Sequence, residues 1–144
     1  MLIPGVWLLC PDGIVRPVLR GEVEAADGSW VKAPFLLDTG ADRTVFSANI
    51  LAALGLQSFM PSQKLAGAGG ERSSVLVDTR IQFCTEDGNR VVFRAQYAAV
   101  TELEALDMSA LGRDITNLFA VIVDRPRDLV GLLSQRHQYT IEQT

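Results

Sequence analysis

Phe35-Leu36-Leu37-Asp38-Thr39-Gly40-Ala41-Asp42 is the stretch on which the reading of this chain turns. Three bulky apolar residues carry the backbone, as a buried strand, straight into an acidic residue and a tight turn. The end of a buried strand is a costly place for a lone carboxylate. Thr39 supplies a hydroxyl to brace the turn, and Gly40, having no Cβ, lets backbone or substrate approach closely. Asp, Thr and Gly are also ordinary turn residues, so the tripeptide alone is open to a purely structural reading. Its surroundings have to decide.

Working outward, Val15 to Ala25 and Trp30 to Leu37 flank Ala26-Asp27-Gly28-Ser29, where Asp-Gly supplies the positive φ of a hairpin turn. The second arm of that hairpin runs into Asp38. Ser47 to Gly55 has a hydroxyl at an N-cap position, helix-forming Ala and Leu, and a terminating Gly, which predicts one short helix. Leu65 to Glu71 is rich in glycine. It is followed by Ser74 to Phe83, in which Val75, Val77, Thr79, Ile81 and Phe83 alternate onto one face. Glu86-Asp87-Gly88-Asn89 turns the chain, and Val91 to Val100 returns as a second long arm. Leu111 to Phe119 sets Ile115, Leu118 and Phe119 at helical spacing and predicts a second short helix. Val121 to Val123 and Leu129 to Leu133 read as a last strand pair, with Tyr139 to Ile141 adding an edge strand. Many short strands with two small helices, no repeat and no linker predict a single mostly-β domain over 1–144, closed into a barrel. Residues 1–14 form an N-terminal segment and 134–144 a tail.

Composition narrows the function. A chain of 144 residues holds one core, so any site lies within one domain or between subunits. The apolar fraction of 48% is high for a soluble monomer and points to surface covered by a partner, most simply a second copy. A net charge of -4 leaves no basic face for phosphates, so nucleic acid is not expected as a partner. Cys10 and Cys84 stand apart, without metal-ligand spacing, so neither a disulfide framework nor a metal site is expected, and no cofactor. The apolar start, Met1 to Cys10, lacks a cationic leader and is interrupted by Pro4, and no run approaches the roughly 20 apolar residues of a membrane span. A cytoplasmic setting is the expectation.

Leu36-Leu37-Asp38-Thr39-Gly40-Ala41-Asp42 followed by Thr44-Val45 resembles the active-site signature of the retropepsins, the single-domain aspartic peptidases of retroviral type. Two further segments match in order: Ala66-Gly67-Ala68-Gly69-Gly70 resembles the glycine-rich flap tip, and Ala110-Leu111-Gly112-Arg113-Asp114 the motif before the C-terminal helix. The resemblance spans Val15 to Leu133 and is closer to bacterial members of this type than to viral ones. It implies a two-fold homodimer, because Asp38 is the only Asp-Thr-Gly aspartate and a catalytic pair needs two. Asp78-Thr79-Arg80 is the other Asp-Thr pair, but it lacks the glycine and reads as an ordinary strand residue.

The resemblance further implies that Asp38 is catalytic, that Thr39, Gly40, Asp42 and Arg113 support its turn, and that Gly40, Ala41, Asp42, Ala66, Gly67 and Ala68 contact an extended peptide. Arg113 is expected to bridge the Asp42 carboxylate with both ends of its guanidinium. Ala41 withholds the hydroxyl that pepsin-type sites place there, so activity is expected at milder acid than pepsin's. Ala68 and the charged Glu71-Arg72 depart from the usual flap and speak against flap-to-flap contact across a dimer. His137 reads as a solvated surface residue. Two functions remain open from the residues: an endopeptidase, or a catalytically silent dimer that binds peptide without cutting it. An aspartate-dependent site acting on a smaller molecule is a third.

Overall fold

The structure is a computed structural model that describes residues 1–60, 65–67, 70–72, 74–134 and 142–143, with the backbone alone at 65–67 and 70–72. Its framework is two long hairpins. In the first, β3 (Val15–Glu24) pairs antiparallel with β4 (Trp30–Leu37) through a turn in which Gly28 takes φ +84°. In the second, β9 (Ser74–Cys84) pairs with β10 (Arg90–Val100) over its full length, from Arg90 opposite Cys84 to Val100 opposite Ser74. Both expected Asp-Gly turns therefore form, because only a residue without a Cβ enters that φ range at little cost.

Two very short strands close the hairpins into a barrel. β5 (Val45–Phe46) lies parallel to β10, and β11 (Ser109–Leu111) lies parallel to β4 and antiparallel to β5. With Val23 of β3 opposite Ile81 of β9, the ring β3-β4-β11-β5-β10-β9 has no break. Closure removes the free edges that an open sheet of this size presents to other chains. Inside stand Phe35, Phe46 and Phe83, all 1% exposed or less. Their rings meet obliquely, with Phe35 to Phe46 centroids 6.1 Å apart and Phe35 to Phe83 5.8 Å.

The helix α1 (Ala48–Leu54) is flanked by Ser47 and by Gly55 at φ +61°, as the sequence predicts. Ser47 does not cap it with its hydroxyl. Its backbone N–H instead donates to Ser109 Oγ at 2.9 Å, tying the helix start to β11. The second helix is shorter than the expected Leu111 to Phe119. Leu111 belongs to β11, and α2 (Arg113–Thr116) is a single turn. After it the chain tightens: Leu118 N–H donates to the Ile115 carbonyl and Phe119 N–H to that of Thr116, both three residues back. Leu118 consequently points outward and is 63% exposed, whereas Ile115 is buried.

The N-terminal segment is more ordered than its sequence advertises. β1 (Leu2–Pro4) pairs with β13 (Leu129–Leu133), which pairs with β12 (Ala120–Asp124), giving a separate sheet in the order β1-β13-β12. β2 (Val6–Leu9) joins β3. Trp7 on β2 donates its indole N–H to the carbonyls of Asp124 and Leu129, 3.3 and 3.2 Å away, and Arg125 lies over its ring. A short β6 (Ser58–Phe59) lies against β9. β7 (Leu65–Gly67) and β8 (Gly70–Arg72) pair as a hairpin, Gly67 opposite Gly70. Ala68 and Gly69 at the tip, His137 and the edge strand expected at Tyr139 to Ile141 lie outside the described residues. No helix among the described residues is long and apolar enough to cross a membrane.

Candidate active site

β4 ends with Leu37 buried, and the next residue, Asp38, turns toward the surface half-buried. The burial expected for this carboxylate is thus only partial within a single chain. Its side chain accepts a hydrogen bond from the Gly40 N–H at 3.1 Å on Oδ1. Its backbone is pinned at both ends, since Asp38 N–H donates to the Leu111 carbonyl at 3.1 Å and Ala41 N–H donates to the Asp38 carbonyl at 3.2 Å. A Cβ at Gly40 would sit 3.3 Å from Asp38 Oδ1, tight against the acid.

The turn hangs from the segment Ser109 to Asp114. Arg113 N–H donates to the Ala41 carbonyl at 2.9 Å, and Arg113 Nη1 to the Thr39 carbonyl at 3.0 Å. Arg113 Nη2 donates to Asp42 Oδ1. The expected pairing of Asp42 and Arg113 is present, but the guanidinium fork spans a carboxylate and a carbonyl and does not take both oxygens of one carboxylate. This grip holds the loop on two sides at once.

A second link lies deeper and was not singled out by the sequence. Thr44 is fully buried, and its N–H reaches both carboxylate oxygens of Asp114 at 2.9 Å while its hydroxyl donates to Oδ1 at 2.8 Å. The same hydroxyl accepts from Gly112 N–H at 3.1 Å. Gly112 is required there, because a Cβ would stand 2.2 Å from the carbonyl carbon of Arg43. Thr44 and Asp114 lie 70 residues apart in the chain, and the only sequence signal for them is that each adjoins a matched motif. Charge-assisted bonds of this kind are among the stronger a fold can make.

The profile of the aspartyl protease family matches residues 22–115, which takes in β3, the turn of Asp38, the β7-β8 hairpin and the start of α2. This chain belongs to the aspartyl protease family. The aspartyl protease fold is retropepsin-like. EIAV protease in complex with the inhibitor HBY-793 is similar, at 21% identity over 71% of this chain and 86% of its own, with a TM-score of 0.51. A retropepsin-like aspartic protease from Rickettsia conorii is similar at 19% identity, covering 92% of this chain and 88% of that one, again with a TM-score of 0.51. No curated protein matches. The resemblance drawn from the three motifs, including its bacterial leaning, is borne out by these likenesses of sequence profile and fold.

The other expected residues fall as follows. Ala66 and Gly67 lie on β7 of the small hairpin. Asp78 sits exposed on β9 opposite Gln96, with Arg94 Nη1 3.4 Å from its carboxylate, so it is a strand residue and no second member of an aspartate pair within the chain. Among the described residues, no group of acidic, histidine or cysteine side chains is arranged to hold a metal ion. A cavity of about 340 Å³ lined by Phe93, Tyr97, Ile115 and Leu118 lies against α2 and shares none of the residues of the Asp38 turn.

Proposed function

We propose that this chain is an aspartic endopeptidase whose catalytic pair is Asp38 and the Asp38 of a second copy. The observation that carries the reading is a lone, half-buried carboxylate held on a rigid turn. Its donor is a glycine N–H and its turn is fastened by Arg113 and by the Thr44–Asp114 link. A group meant only for turn formation has no need of such bracing. Membership of the aspartyl protease family and the single Asp-Thr-Gly in the chain support the same reading.

Two such carboxylates brought together cannot both ionise cheaply, so they share one proton and titrate as a unit. The ionised member takes a proton from a water, the water attacks the scissile carbonyl carbon, and the protonated member donates to the carbonyl oxygen. Collapse of the tetrahedral species expels the amine, which leaves with a proton from the pair. In this mechanism Thr39, Gly40, Asp42 and Arg113 hold the turn. Gly40, Ala41 and Asp42 meet the substrate backbone from below, and Ala66, Gly67 and Ala68 cover it from above as a lid. The substrate is an extended peptide, the unit is one domain, and unpaired Cys10 and Cys84 support a reducing, cytoplasmic setting.

The test is sedimentation equilibrium of the purified chain beside cleavage of an unstructured protein across about pH 4 to 7, with and without Asp38→Asn. The expected result is cleavage that rises with the dimer fraction and vanishes in the folded variant. A chain that binds peptides, never cleaves them, and is indifferent to Asp38→Asn would instead be a binding module.

A further inference from the structure

Among the described residues, Arg20, Lys32 and Arg43 are the lysine and arginine side chains with no carboxylate in ion-pair reach, and all three are exposed. Arg20 and Lys32 lie on the β3-β4 hairpin. Arg43 adjoins the Asp38 turn, and the topology fixes its place there. β11 lies between β4 and β5. Asp38 follows β4, and its N–H donates to the Leu111 carbonyl. Arg43 stands two residues before β5, with its backbone packed against Gly112. Leu111 and Gly112 are therefore flanked by Asp38 on one side and Arg43 on the other, two strand spacings or roughly 10 Å apart along the backbone. The neighbouring acids are already engaged, Asp42 by Arg113 and Asp114 by Thr44. Arg43 is thus a cation beside the aspartate turn without a counter-ion among the described residues.

We propose that Arg43 selects substrate by charge, so that the peptides cut are those carrying glutamate or aspartate two or three residues from the cut bond. This rests on the shared-pair reading of Asp38 and adds the class of peptide that the site takes. An extended peptide advances about 3.3 Å per residue, so one lying over Gly40, Ala41 and Asp42 brings its second or third residue from the bond into reach of the Arg43 side chain. A carboxylate there forms a charge-assisted hydrogen bond with the guanidinium, whereas lysine or arginine meets like charge. In a two-fold dimer each copy supplies one Arg43, and the preference falls on both sides of the bond. The chain's net charge of -4 disfavours acidic peptides at long range. The selection is therefore a local effect of one residue, felt within a Debye length of it.

The experiment incubates the full chain with a mixture of synthetic peptides of randomised sequence and reads the cut bonds by mass spectrometry, for the parent, Arg43→Glu, Arg43→Gln and Asp38→Asn. Expected in the parent is an enrichment of acidic over basic residues, at least about threefold, at the second or third residue from the bond, shrinking as salt is raised. Arg43→Glu should reverse the preference and Arg43→Gln abolish it, with circular dichroism unchanged because the side chain is exposed. Between single peptides that differ only by Glu or Lys at that residue, the difference should lie in KM with kcat little altered, since the contact is made before the reaction as well as during it. A parent whose cuts show no charge preference at those residues overturns the inference and leaves the peptidase standing, and this reading needs no variant to fold. So does a preference that Arg43→Glu leaves intact. Cuts that persist in Asp38→Asn, or the absence of any cut, overturn the peptidase reading and this inference with it.

Discussion

Arg113 donates through one guanidinium nitrogen to the Thr39 carbonyl, 3.0 Å away, and through the other to the Asp42 carboxylate, so one side chain from α2 clasps the Asp38 turn on either side. Lysine carries a single point charge and cannot span both acceptors. Arg113→Lys is expected to lower kcat/KM by about tenfold to a hundredfold through misplacement of Asp38. The unfolding free energy should fall by no more than about 1 kcal/mol, because the ion pair is largely solvated. Steady-state kinetics beside urea unfolding check this. An equal loss in activity and stability would show the clasp to be merely structural.

Thr44→Val keeps the shape of a buried side chain and removes its hydroxyl. Gly112 N–H and Asp114 Oδ1 each lose a partner at 3.1 and 2.8 Å, at a cost of about 1–3 kcal/mol. The urea midpoint should drop with the slope unchanged. Combined with Asp114→Ala the losses should fall short of additive, since both changes cut the same link.

Gly112→Ala should be the most damaging glycine change in the chain's motifs. The new methyl meets the backbone of Arg43, which has no soft side chain to yield, and the loss should exceed about 4 kcal/mol or prevent folding. Gly28→Ala is the control, because nothing lies within 4 Å of its Cβ position and only its φ of +84° resists, for about 1 kcal/mol. Thermal unfolding of the two variants would expose an error in this ranking directly.

Acid should weaken the fold through its ion-paired and turn carboxylates. The Arg16 guanidinium, helped by the Ile14 N–H, holds the Asp12 carboxyl down to about 2 from an ordinary 3.8. Glu24 is lowered by Arg80, Asp27 by the hydroxyl and N–H of Ser29, and Asp87 by the Thr85 hydroxyl. Each of these binds protons more readily in the unfolded chain. Their contribution is therefore complete above the ordinary carboxylate range and is lost as pH falls toward about 2. Urea midpoints taken down the acid range should decline, and Asp12→Asn should flatten the lowest part of the curve. A midpoint constant to about pH 2 would sink the idea.

The parts of the fold that were legible from sequence are those in which local chemistry and tertiary structure agree. Asp27-Gly28 and Asp87-Gly88 specify turns that the flanking alternation already demands, and both hairpins form where expected. The Asp38 turn was legible because its residues are consecutive. β5 and β11 were not, since strands of two and three residues are made by their neighbours and carry no period of their own. β1 and β2 were hidden for another reason. Leu2-Ile3 and Val6-Trp7-Leu8-Leu9 are apolar without alternation, and the prolines nearby read as breakers. In α2, Leu118 has helical spacing from Ile115, but the chain leaves the helix at Thr116 and no spacing rule records that. The Thr44–Asp114 link lies beyond any local rule.

The pairing of β1 with β13 joins residues at opposite ends of the fold, Leu2 to Leu133, and Trp7 fastens the same hairpin across more than a hundred residues. Contacts so distant along the chain form late, because the loop between them must be closed first. During synthesis the terminal sheet has to wait for β13, the last-made of its strands. A ribosome-bound chain can fold its hairpins and set its aspartate in place while its terminal sheet still lacks a strand. The order of folding then separates two tasks: the turn that carries Asp38 is set first, and the sheet that locks Leu2 to Leu133 is completed afterwards.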